Sequence, residues 1–76
     1  MPVNVLAFGK IAEILEQLPL HVEATTLDDL KLKLTDQFPA LAVQKFSIAV
    51  NKKLIHENIN LAAGDEVALL PPFSGG

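Results

Sequence analysis

With 76 residues the chain has room for one domain and one small core, burying only about 60 % of the surface its unfolded form exposes. Cysteine is absent, so disulfides, iron–sulfur clusters, thiolate metal ligands and cysteine nucleophiles are excluded by inventory. The formal net charge is -3 and the 6 basic residues are all lysines scattered along the chain, which leaves no basic stripe to neutralise phosphates and argues against nucleic-acid binding.

The first segment, Val3 to Phe8, places Val3, Val5 and Ala7 on one face and Leu6 and Phe8 on the other, the pattern of a strand covered on both sides. Ile11, Ile14, Leu15 and Leu18 then follow the i, i+3, i+4, i+7 spacing of one helix face, with Lys10, Glu13, Glu16 and Gln17 on the other, and Pro19 is expected to stop the helix. Leu20, Val22 and Ala24 alternate with His21 and Glu23 as a half-buried strand suited to a hairpin-like pairing with the first. Thr26 stands in the N-cap position of a second helix: its hydroxyl can accept from a free backbone N–H, and Asp28 and Asp29 favour the positive end of the dipole. Leu27, Leu30, Leu34 and Phe38 form the buried stripe, Lys31 and Lys33 lie off it, and Pro39 breaks the run.

Phe46, Ile48 and Val50 alternate with Ser47 and Ala49 as a third strand, Asn51-Lys52-Lys53 makes a turn, and Leu54-Ile55 gives a short fourth. His56 to Ala63 is irregular, with Ile59 and Leu61 as core plugs, and Gly64-Asp65 turns the chain into a last strand, Glu66 to Leu70. Strand, helix, strand, helix and three strands make an α+β domain with a mixed sheet.

Half the residues are hydrophobic and the mean hydropathy is +0.36, so some apolar surface of so small a body is expected to meet a partner. No run approaches the roughly 20 apolar residues of a membrane span and no leader opens the sequence, which leads us to expect a soluble cytoplasmic protein with no membrane partner. His21 and His56 have no companions at metal-ligand spacing, and capping accounts for Asp28-Asp29 better than paired acid chemistry does. Lys52-Lys53 reads as a solvated turn, with docking to an acidic partner as the alternative. Gly9 and Gly64 stand alone, so no phosphate loop is present and no nucleotide is expected to bind this chain by itself.

The last ten residues, Val67 to Gly76, carry no charge and end in two glycines, so Gly76 offers only its backbone carboxylate. Pro71-Pro72 cannot donate backbone hydrogen bonds, which should end the strand at Leu70 and send the tail outward in extended form. At about 3.1 Å per residue, Pro71 to Gly76 could reach roughly 19 Å, enough to enter another protein's active site. Leu69, Leu70 and Phe73 lead into this tail, and Phe73 resembles an interface anchor of a kind whose removal costs roughly 2 kcal/mol or more. A free carboxylate resists nucleophilic attack and must be activated. Joined to an adenylate it becomes an electrophile, and a sulfur nucleophile can then leave a terminal thiocarboxylate. Glycines suit such a tail because side chains would block a narrow tunnel.

Gly64-Asp65-Glu66-Val67-Ala68 followed by Pro71-Pro72-Phe73-Ser74-Gly75-Gly76 resembles the closing segment of molybdopterin synthase small subunits, which are ubiquitin-like sulfur carriers of β-grasp fold. Ala49-Val50-Asn51 is similar to that family's third-strand ending, and Phe8-Gly9-Lys10-Ile11-Ala12-Glu13 to its passage into the first helix. The resemblance implies a single β-grasp domain, 1–76, with an extended tail, 71–76, helices packed on one face of a mixed sheet, and parallel first and last strands at its centre. It implies that a ubiquitin-activating-enzyme-like adenylyltransferase uses ATP to adenylate Gly76 and that a sulfur donor protein supplies the thiocarboxylate sulfur. Inside the large synthase subunit, that sulfur passes to cyclic pyranopterin monophosphate, two carriers building the dithiolene that later holds molybdenum or tungsten. The large subunit contacts would come from Leu69, Leu70, Pro71, Pro72, Phe73, Ser74 and Gly75. On this account the chain is no enzyme on its own, binds no cofactor or metal, and joins a heterotetramer of two small and two large subunits. It is short for the family between Val43 and Phe46 and before Gly64. A sulfur carrier for thiamine or tRNA thiolation, a ubiquitin-like modifier forming isopeptide bonds, and a plain interaction domain are the alternatives; the proline pair argues against the thiamine carrier.

Overall fold

The computed structural model describes residues 2–71. Strand β1 (Pro2–Ala7) leads into helix α1 (Gly9–Leu15), followed by β2 (Leu20–Glu23), α2 (Leu27–Gln37), a 3-10 segment (Pro39–Val43), β3 (Ser47–Val50), β4 (Lys53–Ile55) and β5 (Glu66–Leu70). The strands form one mixed sheet in the order β2-β1-β5-β3-β4. β1 and β5 run parallel in the middle, as the resemblance implies, with Asn4 opposite Glu66 and Ala7 opposite Leu69. β2 pairs antiparallel with β1, so the hairpin-like pairing is present with a helix in its connection. β3 pairs antiparallel with both β5 and β4.

Alternation along the strands sends Val3, Val5, Ala7, Ile48, Val50, Val67 and Leu69 into one core with Ile11, Leu15, Leu27, Leu30, Leu34 and Leu41 from the helical segments. Ile59 and Leu61 pack against this core from the irregular connection. Backbone bonds hold that connection to the start of α2: Leu27 N–H donates to the Ile59 carbonyl at 2.9 Å and Leu61 N–H to that of Thr25 at 2.9 Å.

The cap of α2 is the one its sequence specifies. Thr26 Oγ1 accepts from Asp29 N–H at 3.1 Å, and the Asp29 carboxylate accepts in turn from Thr25 N–H at 3.1 Å. This reciprocal arrangement satisfies one first-turn donor that helix geometry would leave free and one donor of the residue just before the cap. Lys33, one turn on, lies 3.4 Å from the Asp29 carboxylate.

Three boundaries differ from the periodicity. Helix α1 ends at Leu15, because Glu16 takes a left-handed backbone (φ 65) and closes the turn by donating to the Ala12 carbonyl at 3.0 Å. Leu18 lies beyond the helix but still packs partly buried on the core, which is why its spacing matches the helix stripe. Pro39 ends α2 as expected, yet it also opens the 3-10 segment, whose Leu41 is buried. Phe46 precedes β3 and packs partly buried against the core.

The larger correction concerns cover. The helices shield only one face of the sheet, so β1 is not enclosed on both sides: Phe8 is 50 % exposed and Leu6 half-buried.

Candidate functional site

Because β1 and β5 are parallel, both finish at the same end of the sheet, where Phe8 N–H donates to the Leu69 carbonyl at 3.2 Å. β5 stops at Leu70, one residue before the proline pair. Its last two side chains diverge. Leu69 is 0 % exposed and belongs to the core, so it is removed from the expected partner-facing residues: strand alternation points it inward. Leu70 points the other way and lies half-buried on the uncovered face.

Pro71 is exposed, and its ring stands on the side of Gly9 from which a side chain would project: a β-carbon on Gly9 would stand 3.7 Å from Pro71 Cγ and 3.8 Å from Cβ. The remaining residues assigned to the site, Pro72, Phe73, Ser74, Gly75 and Gly76, lie outside the described residues.

On the uncovered face Leu6, Phe8, Ala49, Lys52, Leu54, Glu66, Ala68 and Leu70 line a groove of about 370 Å3. Register explains its floor. Leu6 is opposite Ala68, Ala68 opposite Ala49, and Ala49 opposite Leu54, so one row of apolar side chains crosses four strands. The two alanines at the centre make the row concave, while Leu6, Phe8, Leu54 and Leu70 rise around it. Leu54 is 48 % exposed, and with Phe8 it leaves large apolar surface open to water. Lys52 and Glu66 supply the charges in the lining.

A polar clasp holds β5 in register beneath this groove. Asn51 and Lys52 take positive φ values of 51 and 71, the mark of a two-residue turn whose twist suits a hairpin. Asn51 Nδ2 donates to Asp65 Oδ1 at 3.1 Å, Asn51 Oδ1 accepts from Glu66 N–H at 3.0 Å, and Asp65 Oδ2 accepts from Ala62 N–H at 2.8 Å. The Ala62 N–H and then the Asn51 amide hold the Asp65 carboxyl below the usual carboxylate range. The Thr25 N–H, with Lys33 beside it, does the same for Asp29.

Two broader grooves, each of about 450 Å3, lie elsewhere and have charged linings. One includes Lys31, Lys45, His56 and Glu57; the other includes His21, Lys33 and Asp36. Among the described residues no cluster of three or more His, Asp or Glu side chains could hold a metal ion, and no helix is long and apolar enough to cross a membrane. Asp28 and Asp29 open α2, where Asp29 serves its cap. Leu6, Phe8, Leu54 and Ala68 are the site residues that sequence reasoning missed. For Leu6 and Phe8 the signal is the apolar second face of the first segment, which marks surface that needs cover without saying what covers it; Leu54 and Ala68 join them only through strand pairing.

The profile of the ThiS family matches residues 5–76. The molybdopterin synthase sulfur carrier subunit of Mycobacterium tuberculosis is 35 % identical over 80 residues, covering 97 % of this chain and 96 % of that protein. Among solved structures, the chain resembles a complex of subunits 1 and 2 of molybdopterin-converting factor from Helicobacter pylori, with TM-score 0.76, 32 % identity and full coverage, 100 %, of both chains. The small archaeal modifier protein 1 of Methanosarcina acetivorans superposes with TM-score 0.85 at 26 % identity, covering 99 % of this chain and 96 % of that one.

Proposed function

Because the chain belongs to the ThiS family, with a ubiquitin-like β-grasp fold and a molybdopterin synthase sulfur carrier as a homologue, we propose that it is the sulfur-donor small subunit of a molybdopterin synthase. The observation that carries this reading is the juxtaposition at the end of the sheet. An open apolar groove reaches Leu70, and the sequence continues from there as Pro71-Pro72-Phe73-Ser74-Gly75-Gly76. In this reading the folded body supplies the grip and Gly76 the reacting atoms.

The Gly76 carboxylate attacks the α-phosphorus of ATP on a ubiquitin-activating-enzyme-like partner, pyrophosphate leaves, and an acyl adenylate forms. A sulfide equivalent from a sulfur donor protein attacks the acyl carbon, AMP leaves, and the thiocarboxylate results. In the large subunit the thiocarboxylate sulfur attacks a carbon of cyclic pyranopterin monophosphate and displaces an oxygen leaving group, and water then cleaves the bond between that sulfur and the acyl carbon, leaving the sulfur on the pterin and restoring the carboxylate. In this reading the chain brings no cofactor of its own to these steps, and we assign them to the cytoplasm. The complex of two subunits in Helicobacter pylori supports a large-subunit partner, which we propose joins two carriers in a heterotetramer. The groove with Leu70 is the surface we assign to partner docking, and half-exposed Phe8 is its strongest candidate anchor.

Intact-mass measurement of the chain after incubation with ATP, the activating enzyme and a sulfide source tests this directly. Exchange of one oxygen for one sulfur at the C-terminal residue is expected; an unchanged mass beside a partner set proven active on another carrier would remove the proposal. A second reading draws on the likeness to the archaeal modifier protein: the same activated Gly76 could be captured by a lysine amine, forming an isopeptide bond. Lysine-linked conjugates that survive denaturation and reduction would favour it. Complementation of strains lacking individual carriers separates molybdopterin synthesis from thiamine or tRNA thiolation.

A further inference from the structure

We propose that Gly9 is a positioning residue: its positive φ turns the start of α1 beneath the Pro71 ring and thereby fixes the point from which the chain leaves the sheet. This deepens the sulfur-carrier reading and rests on it. Pairing of β5 with β1 ends with the bond from Phe8 N–H to the Leu69 carbonyl. Pro71 is the next residue but one, and having no N–H it cannot extend the ladder. Beyond Leu70 the Pro71 ring faces the side of Gly9 from which a side chain would project.

The other side of this contact is rigidly held. Gly9 begins α1, whose Ile11 and Leu15 are buried in the core, and the preceding residue, Phe8, is tied to β5 through its N–H. Gly9 itself has φ 63, a conformation that residues with a β-carbon adopt at a cost, least for asparagine. The space is not what demands glycine, because a β-carbon would meet Pro71 at ordinary contact distances, 3.7 and 3.8 Å. What demands it is the backbone angle, which turns the start of α1 beneath the proline. A β-branched residue at this position would shift the corner to negative φ and move the seat. Since reacting groups tolerate displacements of only about 1 Å before rates fall, the seat should act on catalytic rate more than on affinity.

The test measures pyrophosphate release and thiocarboxylate formation by the activating enzyme, with ATP and sulfide, at varied concentrations of the full-length chain. Gly9→Val and Pro71→Gly are each expected to lower kcat about tenfold with KM held within about twofold, and the pair combined to be no worse than either alone. Gly9→Asn, which tolerates the backbone angle, is expected to recover most of the rate. In the free wild-type chain, a nuclear Overhauser contact between the Gly9 α-protons and the Pro71 ring protons should be present, and Gly9→Val should lose it. Wild-type rates in Pro71→Gly, a raised KM with kcat retained, multiplying effects in the double variant, or a missing contact in the wild-type spectrum would each overturn the inference. Failure of the wild-type chain to be loaded at all would instead remove the sulfur-carrier reading beneath it.

Discussion

The two faces of the sheet are written by the same strands and both carry large apolar side chains, yet these have opposite fates. On one, Val3, Val5, Val67 and Leu69 are 0 % exposed beneath the helices; on the other, Phe8 is 50 % exposed and Leu54 48 %. Burying a large apolar side chain stabilises by roughly 1.5–3 kcal/mol, so the covered face accounts for much of the fold's cohesion. Leaving such side chains in water forgoes that gain, and a chain of 76 residues has little to spare. The difference teaches that apolar alternation measures how much surface a strand wants covered, not whether its own chain provides the cover. A partner can provide it instead.

The sharpest way to break this comparison is to act at neither face. Deleting Gly76 should abolish sulfur loading while leaving the thermal unfolding curve of the folded body unchanged. A variant that still accepted sulfur, or one that unfolded, would undo the separation between grip and reacting end. Within the faces themselves, Leu69→Ala should destabilise the fold by about 2–5 kcal/mol in denaturant titration, because it empties a site with no exposure. Its loss of loading should follow the folded fraction alone. Phe8→Ser on the opposite face should do the reverse, weakening binding to the partner by about 2 kcal/mol, roughly 30-fold, with stability changed by under about 1 kcal/mol. Calorimetric titration against the large subunit and the activating enzyme measures the first quantity and urea unfolding the second. Equal effects of the two variants on both measurements would erase the proposed division between the faces.

How much of this was legible in the sequence depends on the kind of signal. Thr26 and Asp29 announced the cap of α2 through chemistry local to one turn, and the structure carries it at hydrogen-bond distance. The apolar spacing of Leu27, Leu30 and Leu34 located the buried stripe for the same reason. Periodicity ran too far at Leu18, which reaches the core from a bend after α1 and not from the helix. The 3-10 segment at Pro39–Val43 was not foreseen, since a proline marks the end of one helix and the start of another equally well. At the site, the strand end and Leu70 were readable from Pro71, but the inward turn of Leu69 required the strand's phase, and the groove required its neighbours. Ala49 and Ala68 line that groove only because β3 and β5 are paired, a long-range fact that no short stretch contains.

The smallest effect concerns the clasp beneath both faces. The Asp65 carboxylate accepts from Ala62 N–H at 2.8 Å and from Asn51 Nδ2 at 3.1 Å, bonds that favour its charged form and lower its pKa from the ordinary 3.8. A group whose folded pKa lies below its unfolded value contributes stability above the unfolded value and loses it as pH falls through the folded one. Stability should therefore decline as the medium is acidified from 3.8 downward, with Asp29 adding in the same direction. Asp65→Asn keeps an acceptor but not the charge, so the variant should melt lower than wild type at neutral pH, and the gap should close in acid. Because Asn51 Oδ1 still accepts from Glu66 N–H in this variant, the register of β5 is expected to survive and partner affinity per folded molecule should stay level. A melting gap that is constant from neutral to acid pH would show that the charge of Asp65 contributes nothing. An affinity loss in the folded variant would show that the register of β5 sets the shape of the open face as well as the strength of the covered one.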